Sequence, residues 1–178
     1  MNLFVLRHAS AGIRRNNPLL DVKRPLDKEG KRHCLHLAHV LNAMKIHFDL
    51  IVSSPLKRSV QTASLVGNEI GYESQIQLSK SLAPEATLQD FHKLLQECNQ
   101  SENLLVVGHN PNLTLFLSST LVPASATAMP QIRLRKGSLA RVSFTRGPGT
   151  LTWLLDPRTV RALYATSTKS SRRKISRK

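Results

Sequence analysis

The stretch NLFVLRH at residues 2–8 indicates the fold class. Its first five residues form a short β-prone run that is apolar after Asn2, which is typical of a buried strand, and the strand ends directly at Arg7 and His8. Two later runs have the same character, LIVS at 50–53 and LLVV at 104–107. Short strands that are apolar throughout are typical of a parallel sheet covered on both faces.

Amphipathic segments alternate with these strands. Asp27 is a suitable N-cap for a helix that runs to about Met44. Further helices are predicted over about 55–70, 87–98 and 112–121, with a short strand at 76–78 and an antiparallel hairpin over 139–144 and 150–155. This alternation predicts an α/β domain, a three-layer α/β/α sandwich with a mainly parallel central sheet.

Length and composition bound the function classes. The chain has 178 residues, 40% of them hydrophobic and 21% charged, which favours one globular domain over disorder. No run approaches the roughly 18 apolar residues of a membrane helix. Two cysteines are too few for a disulfide framework, and the apolar start has no basic residues before it, as a secretory signal would have. We therefore expect a cytoplasmic protein with no membrane association.

The net charge of +15 is concentrated in part at the end of the chain. Serines and threonines separate the basic residues at this end of the chain. The sequence therefore predicts a domain over 1–157 and a flexible basic tail over 158–178. A basic body attracts phosphate esters, acidic proteins or nucleic acid, and composition does not choose among them. Six of the positive charges lie in the last ten residues: Lys169, Arg172, Arg173, Lys174, Arg177 and Lys178.

Parallel sheets place their sites just beyond the carboxyl ends of strands. Arg7 and His8 follow the first strand, Arg58 lies one turn into the helix after the second, and His109 follows the third. Two guanidiniums in one cleft match the oxygens of a phosphoryl group, and their charge lowers the pKa of a neighbouring imidazole. A neutral His8 is then a nucleophile toward phosphorus, while His109 and the arginines stabilise the oxygens.

These segments resemble the histidine phosphatase superfamily, also called the phosphoglycerate mutase-like family. Arg7-His8-Ala9 is similar to its Arg-His-Gly signature, and the segments at 53–63 and 108–111 are similar to its second phosphate segment and its late histidine segment. The resemblance covers about residues 1–157. It implies a phosphoglycerate mutase-like fold, His8 as nucleophile, and Arg7, Arg58 and His109 as phosphate ligands.

Within that superfamily the chain resembles the SixA-type branch of phosphohistidine phosphatases. The segment at 24–30, RPLDKEG, is similar to the Arg-Pro-Leu segment of this branch, and the residues at 136–140 with Trp153 are similar to its closing hairpin. The resemblance implies that Arg24 faces the active site and binds substrate. The glutamate-bearing stretch of the mutases is missing, and Glu85 is the one candidate acid in that region.

Three functions remain open from the sequence. The first is a metal-independent phosphatase without cofactor that acts on phosphohistidine in a protein and releases inorganic phosphate. The second is a phosphomonoesterase for a small metabolite with Glu85 as proton donor. The third is a nucleic-acid-binding protein on a degenerate phosphatase fold, with the tail as a possible contact. His33, His36 and His39 fan around a helix, so we expect a solvated face there and not a metal site.

Overall fold

The computed structural model describes residues 1–14 and 16–175, and side chains through Ser167. It contains six strands and six α-helices, with a single 3₁₀ turn at Lys80–Leu82. The strands are β1 (Asn2–Arg7), β2 (Leu50–Ser53), β3 (Gln77–Leu78), β4 (Asn103–Gly108), β5 (Leu139–Ser143) and β6 (Thr150–Leu155). The helices are α1 (Pro18–Val22), α2 (Lys28–Ala43), α3 (Lys57–Glu69), α4 (Leu88–Glu97), α5 (Asn112–Thr120) and α6 (Pro157–Ile175).

The strands form one sheet in the order β3-β2-β4-β1-β5-β6. The first four strands are parallel, and the hairpin of β5 and β6 adds to β1 in the antiparallel sense. Alternate residues of β1 enter two different cores. Phe4 and Leu6 pack with residues of α2 and α3, and Leu3 and Val5 pack with residues of α4 and α5. The predicted three-layer α/β/α sandwich with a mainly parallel sheet is confirmed.

Residues at the start of α2 hold this helix beside the carboxyl end of β1. The Asp27 carboxylate caps α2 by accepting from the Gly30 amide at 2.7 Å, and its other oxygen accepts from the Ser10 hydroxyl at 2.6 Å. A Cβ at Gly30 would collide with the backbone of Ser10. Glycine therefore lets α2 approach the loop after β1 closely, which fixes the chain where it leaves the sheet at His8.

Helix α6 occupies much of the segment for which the sequence predicted a tail. Val160 is fully buried, and Tyr164 stacks on His36 of α2 with ring centroids 3.9 Å apart. His33 donates from Nε2 to the Gly137 carbonyl at 2.8 Å. The expectation of a solvated face at His33, His36 and His39 is therefore wrong for the first two, because α6 and the 135–137 turn cover that side of α2.

The division into a domain at 1–157 and a flexible tail at 158–178 stays a prediction. Residues 176–178 and the basic side chains from Lys169 onward, which the sequence offered as nucleic-acid contacts, lie outside the described part. Among the helices of the described residues, none combines the length and the apolar character needed to cross a membrane.

Candidate active site

The carboxyl ends of β1, β2 and β4 open into a cleft of about 670 Å³. Each of the five residues that the sequence placed in the site lines this cleft. Arg14 and Lys136 add two further cations to its wall, and Asp21 and Glu85 are the carboxylates among its lining residues. The five predicted residues are Arg7, His8, Arg24, Arg58 and His109.

Sheet register brings the two histidines together. Arg7 of β1 stands opposite Gly108 of β4, and the His8 amide donates to the Gly108 carbonyl at 3.1 Å. His8 and His109 therefore leave the sheet side by side, with ring centroids 5.0 Å apart. The Gly137 amide donates to the carbonyls of Arg7 and His8, at a φ of 82° that glycine adopts without strain. This turn holds the end of β1 from the other side.

The tautomer of His8 follows from its one hydrogen bond. Nδ1 lies 2.8 Å from the Ala9 carbonyl oxygen. Because a carbonyl can only accept, Nδ1 carries the proton and the lone pair is on Nε2. Burial, together with the charges of Arg58, Arg7 and Lys136, lowers the pKa of His8 to about 3 against the opposing effect of the Ala9 bond. His8 is thus a neutral imidazole with a free nucleophilic nitrogen at neutral pH.

His109 is held by two serines that follow β2. Its Nε2 lies 2.8 Å from the Ser54 hydroxyl and 3.2 Å from the Ser59 hydroxyl. Burial lowers the pKa of His109 to about 2, with further contributions from His8 and from Arg58. When Nε2 accepts from Ser54, the proton of the neutral ring sits on Nδ1, which is buried without a partner in the described structure. His109 therefore presents an unused N–H donor.

The two predicted phosphate arginines also carry unused donors. Arg7 donates from one terminal nitrogen to the Leu134 carbonyl at 2.8 Å, while its Nε is buried and unpartnered among the described residues. Arg58 is buried, and its Nε likewise has no partner there. A buried N–H without a partner costs about 1–3 kcal/mol relative to a hydrogen-bonded one. Three such donors on residues of one cleft fit an oxygen-rich anion such as a phosphoryl group.

Arg24 and Arg58 share a carboxylate that the sequence reading missed. Asp21 accepts from Arg24 Nε at 2.8 Å and from an Arg58 terminal nitrogen at 3.2 Å. Arg24 also donates to the Gly12 carbonyl at 2.9 Å, so it joins α1 to the loop after β1. The spacing of Asp21 three residues before Arg24 was the available signal. The asparagines and the proline around Asn17 and Pro18 are typical of a loop, however, and in a loop this spacing does not indicate an ion pair.

Comparisons with known proteins agree with this geometry. Residues 3–84 match the family described as the histidine phosphatase superfamily (branch 1), a segment that contains four of the five predicted residues. An uncharacterized protein of Picosynechococcus is 34% identical over 116 residues, which are 64% of this chain and 68% of that protein. The chain belongs to the histidine phosphatase superfamily.

Two further relatives carry the resemblance into the SixA-type branch. Phosphohistidine phosphatase SixA of Escherichia coli is 26% identical over 160 residues, which are 88% of this chain and 94% of that protein. A solved structure of the protein histidine phosphatase SixA complexed with tungstate superimposes with a TM-score of 0.78 at 23% identity. That match covers 90% of this chain and 99% of the solved one. The predicted resemblance to this branch is confirmed.

Proposed function

We propose that the protein is a phosphohistidine phosphatase that acts on a phosphorylated histidine of another protein. The observation that carries this proposal is that three residues lining the cleft with His8 each have a buried donor without a partner in the described structure. Arg7 Nε, Arg58 Nε and His109 Nδ1 suit the equatorial oxygens of a phosphoryl group. Membership of the histidine phosphatase superfamily supports phosphatase activity in general.

The proposed reaction has two displacements at phosphorus. The Nε2 lone pair of His8 attacks the phosphoryl group of a substrate whose other ring nitrogen has taken a proton from solvent. The P–N bond then breaks, and its electron pair leaves with the neutral imidazole. Water then attacks the phosphorus of phosphorylated His8, which releases inorganic phosphate and restores the neutral ring. The arginines and His109 stabilise the negative charge on the oxygens in both steps, so guanidinium groups do the neutralising without a cofactor.

The nature of the leaving group supports phosphohistidine as the substrate. Imidazole has a pKa of about 6.5, so it departs at neutral pH with help from solvent. An alkoxide leaving group needs a proton donor in the site. The wall of the cleft supplies mostly cations, with Glu85 exposed at the rim and Asp21 bound to two arginines. The relatives named SixA point to the same substrate class.

A second candidate is a phosphomonoesterase for a small phosphorylated metabolite. The observation that favours it is the position of Glu85, which lines the cleft after the 3₁₀ turn at Lys80–Leu82. A protonated Glu85 would supply the proton that an alcohol leaving group requires. The cleft is open enough for either a small ester or a histidine on a protein surface. We propose a cytoplasmic location for either enzyme.

Turnover of a phosphohistidine carrier protein, measured beside a panel of phosphate esters, separates the two candidates. We expect faster release of phosphate from the carrier protein. A quenched reaction with labelled substrate should trap an acid-labile, base-stable adduct on His8. His8→Ala should abolish both the adduct and turnover, whereas the control His47→Ala, at an exposed histidine outside the cleft, should retain them. Full activity of His8→Ala would contradict the proposal.

A further inference from the structure

A second cavity of about 380 Å³ lies directly beside the active-site cleft. It is enclosed by α2, by the turn before β5 and by the start of α6. Arg7 and Lys136 line both cavities, so the two form neighbouring compartments that share one wall. The mechanism uses none of the groups that line the second cavity alone.

The second cavity is rich in cations. Besides the shared Arg7 and Lys136, its wall carries four arginines and two carboxylates, Glu29 and Asp156. Asp156 accepts from the Arg158 amide at 2.9 Å with one oxygen and pairs with Arg135 at 3.5 Å with the other. Glu29 pairs with Arg161 at 3.6 Å. The four arginines are Arg32, Arg135, Arg158 and Arg161.

Three of these cations stand outside the salt bridges that the described residues form around the second cavity. Within the described part of the chain, Arg32, Lys136 and Arg158 form no ion pair, and each is exposed to solvent. They come from three different elements, namely α2, the 135–137 turn and α6. Like charges held together in one concavity repel each other and raise the local concentration of anions. The arrangement is therefore suited to a ligand that brings negative charge.

We propose that the second cavity binds an acidic segment of the substrate protein, next to the phosphohistidine that enters the active-site cleft. This inference rests on the proposed function and adds to it the class of substrate: a phosphohistidine with Asp or Glu side chains beside it. Because Arg7 and Lys136 line both cavities, such side chains would lie next to the phosphorylated ring. Planar guanidiniums match carboxylates with two parallel hydrogen bonds.

The wall chemistry favours an acidic peptide over a nucleic acid. Single-stranded nucleic acids bind basic grooves that also offer aromatic side chains for base stacking. Among the described residues that line the second cavity there is no Phe, Tyr or Trp, and His36 is already stacked on Tyr164. The cavity is also a depression between three elements that is open to solvent and has the size of a few side chains.

A direct binding experiment tests the cavity without any turnover. A fluorescein-labelled hexaglutamate peptide is titrated with the full-length protein at low ionic strength, and its anisotropy is recorded. The double variant Arg32→Glu, Arg158→Glu should weaken binding by at least about tenfold, which is about 1.4 kcal/mol. The control Lys80→Glu, Lys93→Glu changes the net charge equally at exposed lysines outside both cavities, and it should bind within about twofold of the wild type.

Kinetics then test whether the cavity serves the substrate. The carrier protein is prepared with two glutamates beside its phosphohistidine and, separately, with glutamines in their place. The Arg32→Glu, Arg158→Glu variant should raise KM about tenfold for the glutamate carrier, with kcat unchanged, and should leave KM for the glutamine carrier and turnover of phosphoimidazole unchanged. Phosphoimidazole reports the active site alone, because it has no neighbouring residues.

Each outcome has a separate meaning. Equal binding of hexaglutamate by the charge-reversed variant and its control would overturn the inference. An equal rise in KM for the glutamate carrier and the glutamine carrier would overturn it as well. Preferential binding of a single-stranded oligonucleotide, lost in the same variant, would overturn it in favour of a nucleic-acid site. Absence of phosphohistidine turnover by the wild type would refute the proposed function, and the peptide titration would still decide whether the cavity binds acidic segments.

Discussion

The two histidines of the active site make the stability of the fold depend on pH. Burial and nearby cations hold the pKa of His8 at about 3 and that of His109 at about 2. In the unfolded chain both imidazoles return to about 6.5. Below that pH the unfolded state takes up protons that the folded state cannot bind. The stabilisation is therefore complete above about pH 6.5 and is lost as the pH falls toward the folded values.

The size of this change in stability follows from the difference in the number of protons bound by the unfolded and folded states. Each pH unit below about 6.5 lowers the free energy of unfolding by up to about 1.4 kcal/mol per imidazole. The fall to about pH 5 therefore lowers it by about 2 kcal/mol through His8 alone. His8→Asn removes this titrating group from both states. Because His8 is also one cause of the low pKa of His109, the variant should relieve part of the second contribution as well.

Urea unfolding at about pH 7 and about pH 5 measures the effect. The free energy of unfolding should fall by at least about 2 kcal/mol more in the wild type than in His8→Asn over this interval. His47→Asn replaces an exposed histidine at the opposite edge of the sheet and should retain the wild-type pH dependence. If His8→Asn lost as much stability as the wild type, His8 would be protonated in the fold. The argument for a neutral nucleophile would then fail.

Four further predictions concern activity. Arg58→Ala should lower kcat/KM by at least about 100-fold through lost transition-state stabilisation, whereas Arg14→Ala at the exposed rim should stay within about threefold by steady-state kinetics. Glu85→Gln should retain phosphohistidine turnover within about fivefold and lose more of any ester turnover; equal loss of both would favour the metabolite enzyme. Asp21→Asn should lower the inhibition constant of inorganic phosphate about tenfold, because the carboxylate beside two guanidiniums repels an incoming anion; weaker inhibition would show that Asp21 chiefly orients them. EDTA should leave turnover unchanged, and inhibition reversed by Mg²⁺ would contradict the reaction without a metal.

The sequence predicted the meeting of Arg7, His8, Arg58 and His109 because strand direction alone decides it. Once the runs at β1, β2 and β4 are taken as parallel neighbours, their carboxyl ends share one edge, and residues just after them share one cleft. The register between Arg7 and Gly108 then sets the distance between the histidines. Register could not be read from the sequence, because three runs that are apolar on both faces give no alternation to align.

Two parts of the fold escaped sequence reasoning for a common reason. Helix α1 has five residues and no buried side chain, so it carries no hydrophobic period. Helix α6 has a polar composition, and its contact with the domain depends on Val160 and Tyr164, four residues apart. The spacing of this pair indicates a helix that packs on the domain. The serines and lysines of the same segment, however, are more typical of a flexible tail. Asp21 and the second cavity depend on these two helices, which explains why neither could be foreseen.

Several buried groups of the candidate active site lower the stability of the unliganded fold, and the contacts around them compensate for this cost. Three buried donors without partners each cost free energy in the unliganded protein, and the two buried imidazoles add a cost once the pH falls below about 6.5. The surrounding structure must therefore hold these groups in place by other contacts. Backbone hydrogen bonds from His8 to Gly108 and from Gly137 to Arg7, with Ser54 on His109, do this from three sides. In the proposed reaction a bound phosphoryl group satisfies the donors, so the free energy that they cost the unliganded fold is regained when the transition state binds.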